Sequence, residues 1–203
     1  MGGASLALFA DDLAALAAQL DPPVVLGGMS MGAALSLRLA VLRPDLVRGL
    51  ILLRPAWIAD SAPPNMAPVA EVADLLGRFD PDEGRARFLS SALAQRLSVE
   101  APDNVSSLLS YFDRPRDGLA ELLAAIASDG PRVTEEQIEA MRIPCLVCGT
   151  REDLIHPYTM AERLAGLIPG ARFVELSPKG RDRAGHFATL RAAIDEFVTR
   201  LIG

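Results

Sequence analysis

Val24-Val25-Leu26-Gly27-Gly28-Met29-Ser30-Met31-Gly32-Ala33-Ala34-Leu35 is the stretch on which the reading of this chain turns. A β-branched and aliphatic run enters a Gly-x-Ser-x-Gly pentapeptide, residues 28–32, which opens at once into a helix-forming segment. Strand, tight turn and helix in that order hold a serine on strained backbone above the carboxyl end of a sheet. Ser30 is therefore expected to project there, and a Cβ at Gly28 or at Gly32 is expected to collide with the neighbouring strand or helix. The N–H groups that begin the helix, that of Met31 among them, would face any negative charge developing beside Ser30.

Working outward, residues 4–20 carry Leu6, Phe9, Leu13, Leu16 and Leu20 at three- and four-residue steps, which predicts an amphipathic helix with Ser5 as its N-cap. Asp21-Pro22-Pro23 ends it and launches a strand at Val24–Leu26. Beyond the pentapeptide, a helix over 33–42 runs to Arg43-Pro44, and Gly49–Leu53 reads as a second buried strand. Four prolines then break up a connector. Helical patterns follow at 68–77, 82–98, 102–112, 117–128 and 134–141, with no strand pattern among them. This predicts a helical cap over 55–141, packed above the carboxyl end of a sheet built by 1–54 and 142–203. The second core segment supplies a strand at 145–148, a helix at 157–168, a strand at 172–176, a polar loop at 177–183 and a last helix at 187–201. The fold class is α/β, a mostly parallel sheet flanked by helices.

The chain has 203 residues, enough for one domain with a sizeable core, and half of them are apolar. Twenty-six acidic residues against 20 basic ones give a net charge of −6, which argues against nucleic acid and anionic membranes as partners. No apolar run approaches the ~20 residues of a membrane span. The opening, with no basic residue before Asp11-Asp12, is a poor signal peptide, so the expected compartment is the cytoplasm. Cys145 and Cys148 form a Cys-x-x-Cys within a strand pattern. Residues three apart on a strand face opposite ways, so core filling is expected, without a metal or a disulfide.

Taken together, these features resemble the α/β-hydrolases. In that family a nucleophile, an acid and a histidine follow in chain order. By resemblance Ser30 is the nucleophile, and Asp153, in Gly149-x-x-x-Asp153-x-x-x-Pro157 after an apolar strand, is the acid. His186, in Gly185-His186-Phe187 before the last helix, is the base, and the Met31 N–H is an oxyanion donor. The chemistry needs each part. A serine hydroxyl attacks only when a base takes its proton, and the acid orients the imidazole and stabilises its cation. Glu152 competes as the acid. His156, the other of two histidines, competes as the base.

A serine nucleophile implies an acyl-enzyme, hence a small-molecule carboxylic ester or lactone as substrate, with no cofactor and no metal. An acyltransferase or perhydrolase would use the same triad. Arg54, Trp57, Met66, Phe79, Phe88, Tyr111 and Phe112 are candidate walls of an acyl pocket as well as candidate core. The resemblance also implies further strands and a second oxyanion donor ahead of the helix at 4–20. The chain thus reads as an N-terminally truncated hydrolase of about four strands, with the elbow strand left as an edge. An apolar edge of this kind invites pairing into a homo-oligomer, with activity compromised.

Overall fold

The computed structural model describes residues 3–203. Four parallel strands form one sheet in sequential order: β1 Val24–Met29, β2 Val47–Leu53, β3 Cys145–Thr150 and β4 Arg172–Leu176. Register is continuous at the carboxyl ends, where Met29 pairs with Leu53, Leu53 with Cys148 and Thr150 with Leu176. The two central strands are the β-branched and aliphatic ones, with Leu50, Leu52, Leu146 and Val147 inaccessible to solvent. β1 is an edge, and Val25 and Met29 are exposed on it.

Alternation along the strands divides the core. Leu50, Leu52, Cys145 and Val147 pack with Leu37 of helix α2 (Met31–Leu42) and Leu164 of α9 (Tyr158–Leu167) on one face. On the other, Ile51, Leu146 and Cys148 pack against Phe197 of α10 (Arg183–Ile202). The two thiols therefore sit on opposite faces of the sheet, both buried and reduced. Helix α1 (Leu6–Ala17) starts where Ser5 Oγ accepts from the Leu8 N–H at 3.2 Å. The buried Asp129 carboxylate takes the Leu6 N–H at 2.8 Å, filling one of the donors a helix start leaves open.

Between β2 and β3 lie α3 (Ala67–Arg78), α4 (Pro81–Ser90), α5 (Ala92–Glu100), α6 (Pro102–Leu109), α7 (Leu119–Ser128) and α8 (Glu135–Glu139). These share a second core around Trp57, Val72, Phe88, Leu97 and Leu108, which α1 joins through Leu6. The sequence reads one helix over 82–98, but the structure breaks it. Ser91 turns to extended backbone and its side chain caps α5 at Ala94, because a serine satisfies helix-start donors better than it continues a helix. The last helix also departs from its expected start at 187. Asp182 caps it by accepting from the Gly185 N–H at 2.8 Å, so α10 begins at Arg183 and His186 lies in its first turn. Among the described residues, no helix is long and apolar enough to cross a membrane.

Candidate active site

Because all four strands run the same way, their carboxyl ends share one edge, and each is followed by a polar residue of interest. In sheet order these are Ser30 after β1, Arg54 after β2, Asp153 after β3 and His186 after β4. Ser30 sits at φ 55° and ψ −114°, a region that costs a non-glycine residue on the order of 1–3 kcal/mol. The turn is held by the Ser30 N–H donating to the Leu53 carbonyl at 3.1 Å and by the Ala33 N–H donating back to the Ser30 carbonyl at 3.0 Å. A Cβ on Gly28 would fall 2.3 Å from the Gly32 carbonyl carbon, so only glycine lets the strand pass the helix there. The matching expectation for Gly32 does not hold. A Cβ at that position meets nothing within 4 Å, because it points away from the contact. The Met31 N–H, first in α2, donates to no group among the described residues.

Asp153 is 6% exposed and surrounded by donors. Oδ1 accepts from Asn104 Nδ2 and from the His156 N–H, both at 2.9 Å, and Oδ2 accepts from Arg54 Nε at 2.8 Å, with Arg54 Nη2 in ion-pair contact at 2.5 Å. His156 Nδ1 lies 3.1 Å from both oxygens, so it carries a proton toward the carboxylate. Its 3.2 Å approach to Arg54 Nη2 then joins two donors and is no hydrogen bond. Burial pushes the Asp153 carboxyl up. The His156 hydrogen bond and charge, together with the Arg54 guanidinium, outweigh it and hold the group well below the usual carboxylate range. Asn104 comes from α6, and its Oδ1 also accepts the Leu154 and Ile155 N–H groups at 2.8 and 3.2 Å. A buried amide from the helical segment thus clamps the acid loop.

His186 is also 6% exposed, and its Nδ1 lies 2.7 Å from the Ser177 carbonyl oxygen. A carbonyl only accepts, so Nδ1 bears the proton and Nε2 keeps the lone pair, the tautomer a general base needs. Asp153 and His186 line one cleft of about 550 Å³ with Arg54, Asn104, Lys179 and Arg181. Ser30 lies outside that lining, one strand over. Among the described residues, no hydrogen bond joins Ser30 to a histidine or His186 to Asp153. Glu152, the competing acid, lines the same cleft and is paired there with Arg181.

Of the candidate pocket walls, Trp57, Met66, Phe88 and Phe112 are buried in the second core, and Trp57 Nε1 donates to the Asp129 carbonyl at 2.9 Å. Arg54 alone of that group lines the cleft. Sequence reasoning left out Asn104 and the Ser177 carbonyl. Neither belongs to a motif, although an asparagine two residues after a helix-starting proline could have been flagged as a buried polar group. Among the described residues, no group of three or more His, Cys, Asp and Glu side chains is arranged to hold a metal ion.

A family model described as "Alpha/beta hydrolase family" matches residues 2–200. Proteins named "Putative carbamate hydrolase RutD" are similar in sequence. That of Klebsiella pneumoniae is 31% identical over 182 residues, covering 86% of this chain and 65% of the relative. That of Rhizobium rhizogenes is 29% identical, covering 79% and 61%. This chain thus spans under two thirds of the length of these relatives. Among solved structures, a thermophilic esterase from Thermogutta terrifontis superposes with a TM-score of 0.70 at 24% identity, covering 98% of this chain and 74% of that one. The enol-lactonase from Burkholderia xenovorans gives 0.65 at 22%, covering 97% and 74%. At those identities the likeness concerns the fold.

Proposed function

The chain belongs to the alpha/beta hydrolase family, and from that premise we propose that it is a serine hydrolase acting on small or medium carboxylic esters or lactones. The observation that carries this reading is the geometry of Ser30, a non-glycine residue at φ 55° between a parallel strand and a helix start. Such strain persists only where the surroundings enforce it, and here the Gly28–Gly32 approach does so. Ser30 Oγ attacks the substrate carbonyl while His186 Nε2 takes its proton. The tetrahedral oxyanion meets the unengaged Met31 N–H at the positive end of α2. Collapse expels the alcohol, protonated by His186. Water then attacks the acyl carbon as His186 takes its proton, and collapse breaks the bond to Ser30 Oγ, which His186 reprotonates as the acid leaves. Asp153 is the group that stabilises the imidazolium once His186 turns to it. A carbamate carbonyl would submit to the same attack, and the names of the sequence relatives favour it as the second reading.

The test is intact mass after exposure to a fluorophosphonate, on the wild-type chain and on Ser30→Ala. One adduct, lost in the variant, is expected. An adduct that persists in Ser30→Ala, or none on a folded wild-type chain, would refute an activated Ser30.

A further inference from the structure

The four acceptor positions of the Asp153 carboxylate are already filled. Oδ1 serves Asn104 and the His156 backbone, Oδ2 serves Arg54 Nε, and the His156 ring N–H, 3.1 Å from both oxygens, takes the remaining position, with Arg54 Nη2 adding an ion-pair contact to Oδ2. A carboxylate offers about four lone-pair sites, so His186 can gain it only if a donor leaves. Asn104 and the His156 N–H are fixed by buried backbone contacts within the acid loop. The His156 ring belongs to the same loop, is 11% exposed and stands outside the cleft lining. That leaves Arg54, a long side chain, 18% exposed and lining the cleft, as the donor that can move.

Arg54 also stands beside the nucleophile. Met29 pairs with Leu53 at the ends of β1 and β2, and the Ser30 N–H donates to the Leu53 carbonyl at 3.1 Å, so Ser30 and Arg54 each follow directly on the last paired residues of adjacent strands. The Arg54 backbone is pinned there, with φ 45° and its N–H donating to the Cys148 carbonyl at 2.7 Å. Its guanidinium fork reaches toward Asp153, while Nη1 has, among the described residues, only the thioether of Met29 as a partner, at 3.6 Å. Thioether sulfur is a weak acceptor, so the guanidinium keeps donor capacity on the side of β1.

Resting on the serine-hydrolase reading, we propose that Arg54 recognises a carboxylate carried on the acyl side of the substrate, and that in turning to it Arg54 releases Asp153 Oδ2 to His186. The favoured substrates are thus anionic acyl esters. A neutral ester of equal size leaves Arg54 on Asp153 and meets a less completely assembled site. Guanidinium suits this exchange because it trades one carboxylate for another with the same planar fork.

The experiment compares 4-nitrophenyl hydrogen succinate with 4-nitrophenyl butyrate, four-carbon acyl groups that differ in the terminal carboxylate, at neutral pH, with the spontaneous hydrolysis of each ester subtracted because the succinate's own carboxylate attacks its ester. Wild type, Arg54→Met, Arg54→Lys and Ser30→Ala are assayed. In wild type kcat/KM is expected to favour the succinate by about ten- to a hundredfold, the worth of a hydrogen bond to a charged group. Part of that gain should appear in kcat, because releasing Asp153 acts on the chemical step. In Arg54→Met the ratio should fall to about unity, with Arg54→Lys in between because a point charge lacks the fork. A wild-type ratio at or below unity with Ser30-dependent turnover of the butyrate would overturn the proposal and leave the serine-hydrolase reading standing. So would an undiminished ratio in Arg54→Met. Should that variant not fold, the wild-type ratio and Arg54→Lys decide. No Ser30-dependent turnover of either ester would overturn both.

Discussion

Replacing the two glycines of the pentapeptide one at a time, Gly28→Ala and Gly32→Ala, should move stability in opposite directions. The Gly28 methyl would lie 2.3, 2.5 and 2.7 Å from the Gly32 carbonyl carbon, carbonyl oxygen and Cα, which are backbone atoms with no rotamer to yield. Relief requires shifting the start of α2 against β1, and with it the hydrogen bond from Ser30 to Leu53. Overpacking costs ~1–3 kcal/mol, and contact with backbone on three atoms belongs at the upper end, about 3 kcal/mol. For a chain of this size that lowers the thermal midpoint by roughly 6–12 °C. The Gly32 methyl meets nothing within 4 Å on a helical residue at ordinary φ, so Ala gains ~0.5–1 kcal/mol from reduced backbone freedom in the unfolded chain. The midpoint then rises by roughly 1–4 °C. Melts followed by far-UV circular dichroism read both. Equal losses in the two variants, or a Gly28→Ala midpoint within about 2 °C of wild type, would show that the elbow does not depend on this close approach.

Asn104→Ala should cost about 2–4 kcal/mol in urea unfolding, since it strands the Leu154 and Ile155 N–H groups and removes a donor from Asp153. An unchanged midpoint would mean that α6 does not clamp the acid loop. The Asp153 carboxyl lies below its unfolded value of ~3.9, so its contribution is complete above that pH and lost as pH falls toward the folded value. The stability gap between wild type and Asp153→Asn should therefore be constant near neutrality and shrink below pH ~4. A gap that widens on acidification would reverse the assigned sign. Burial pushes the Cys148 thiol up to about 12 and Cys145 higher, so neither should react with a disulfide reagent in the native chain, while both titrate after denaturation. Fast reaction of either thiol under native conditions would contradict their packing.

Much of the fold was legible because its signals are local. Buried strands announce themselves as short aliphatic runs, and Leu50–Leu53 and Cys145–Cys148 were found that way. The elbow was legible because only one glycine-serine-glycine order satisfies a strand, a sharp turn and a helix within five residues. Helix ends were less so. The breaks at Ser91 and Asp182 depend on one side chain choosing a backbone N–H over solvent, a choice that competing serines and aspartates in the same stretch make equally well on paper.

The sequence by itself singled out Ser30, Asp153 and His186 as candidates that follow strand ends, and a parallel sheet puts those ends on one edge. Only the tertiary structure decided their partners. Asp153 belongs to Arg54, Asn104 and His156, and His186 to the carbonyl of Ser177. Arg54 and Asn104 stand 99 and 49 residues from Asp153 in the chain. No local pattern encodes such pairings, because a buried carboxylate takes whichever donors packing brings within reach.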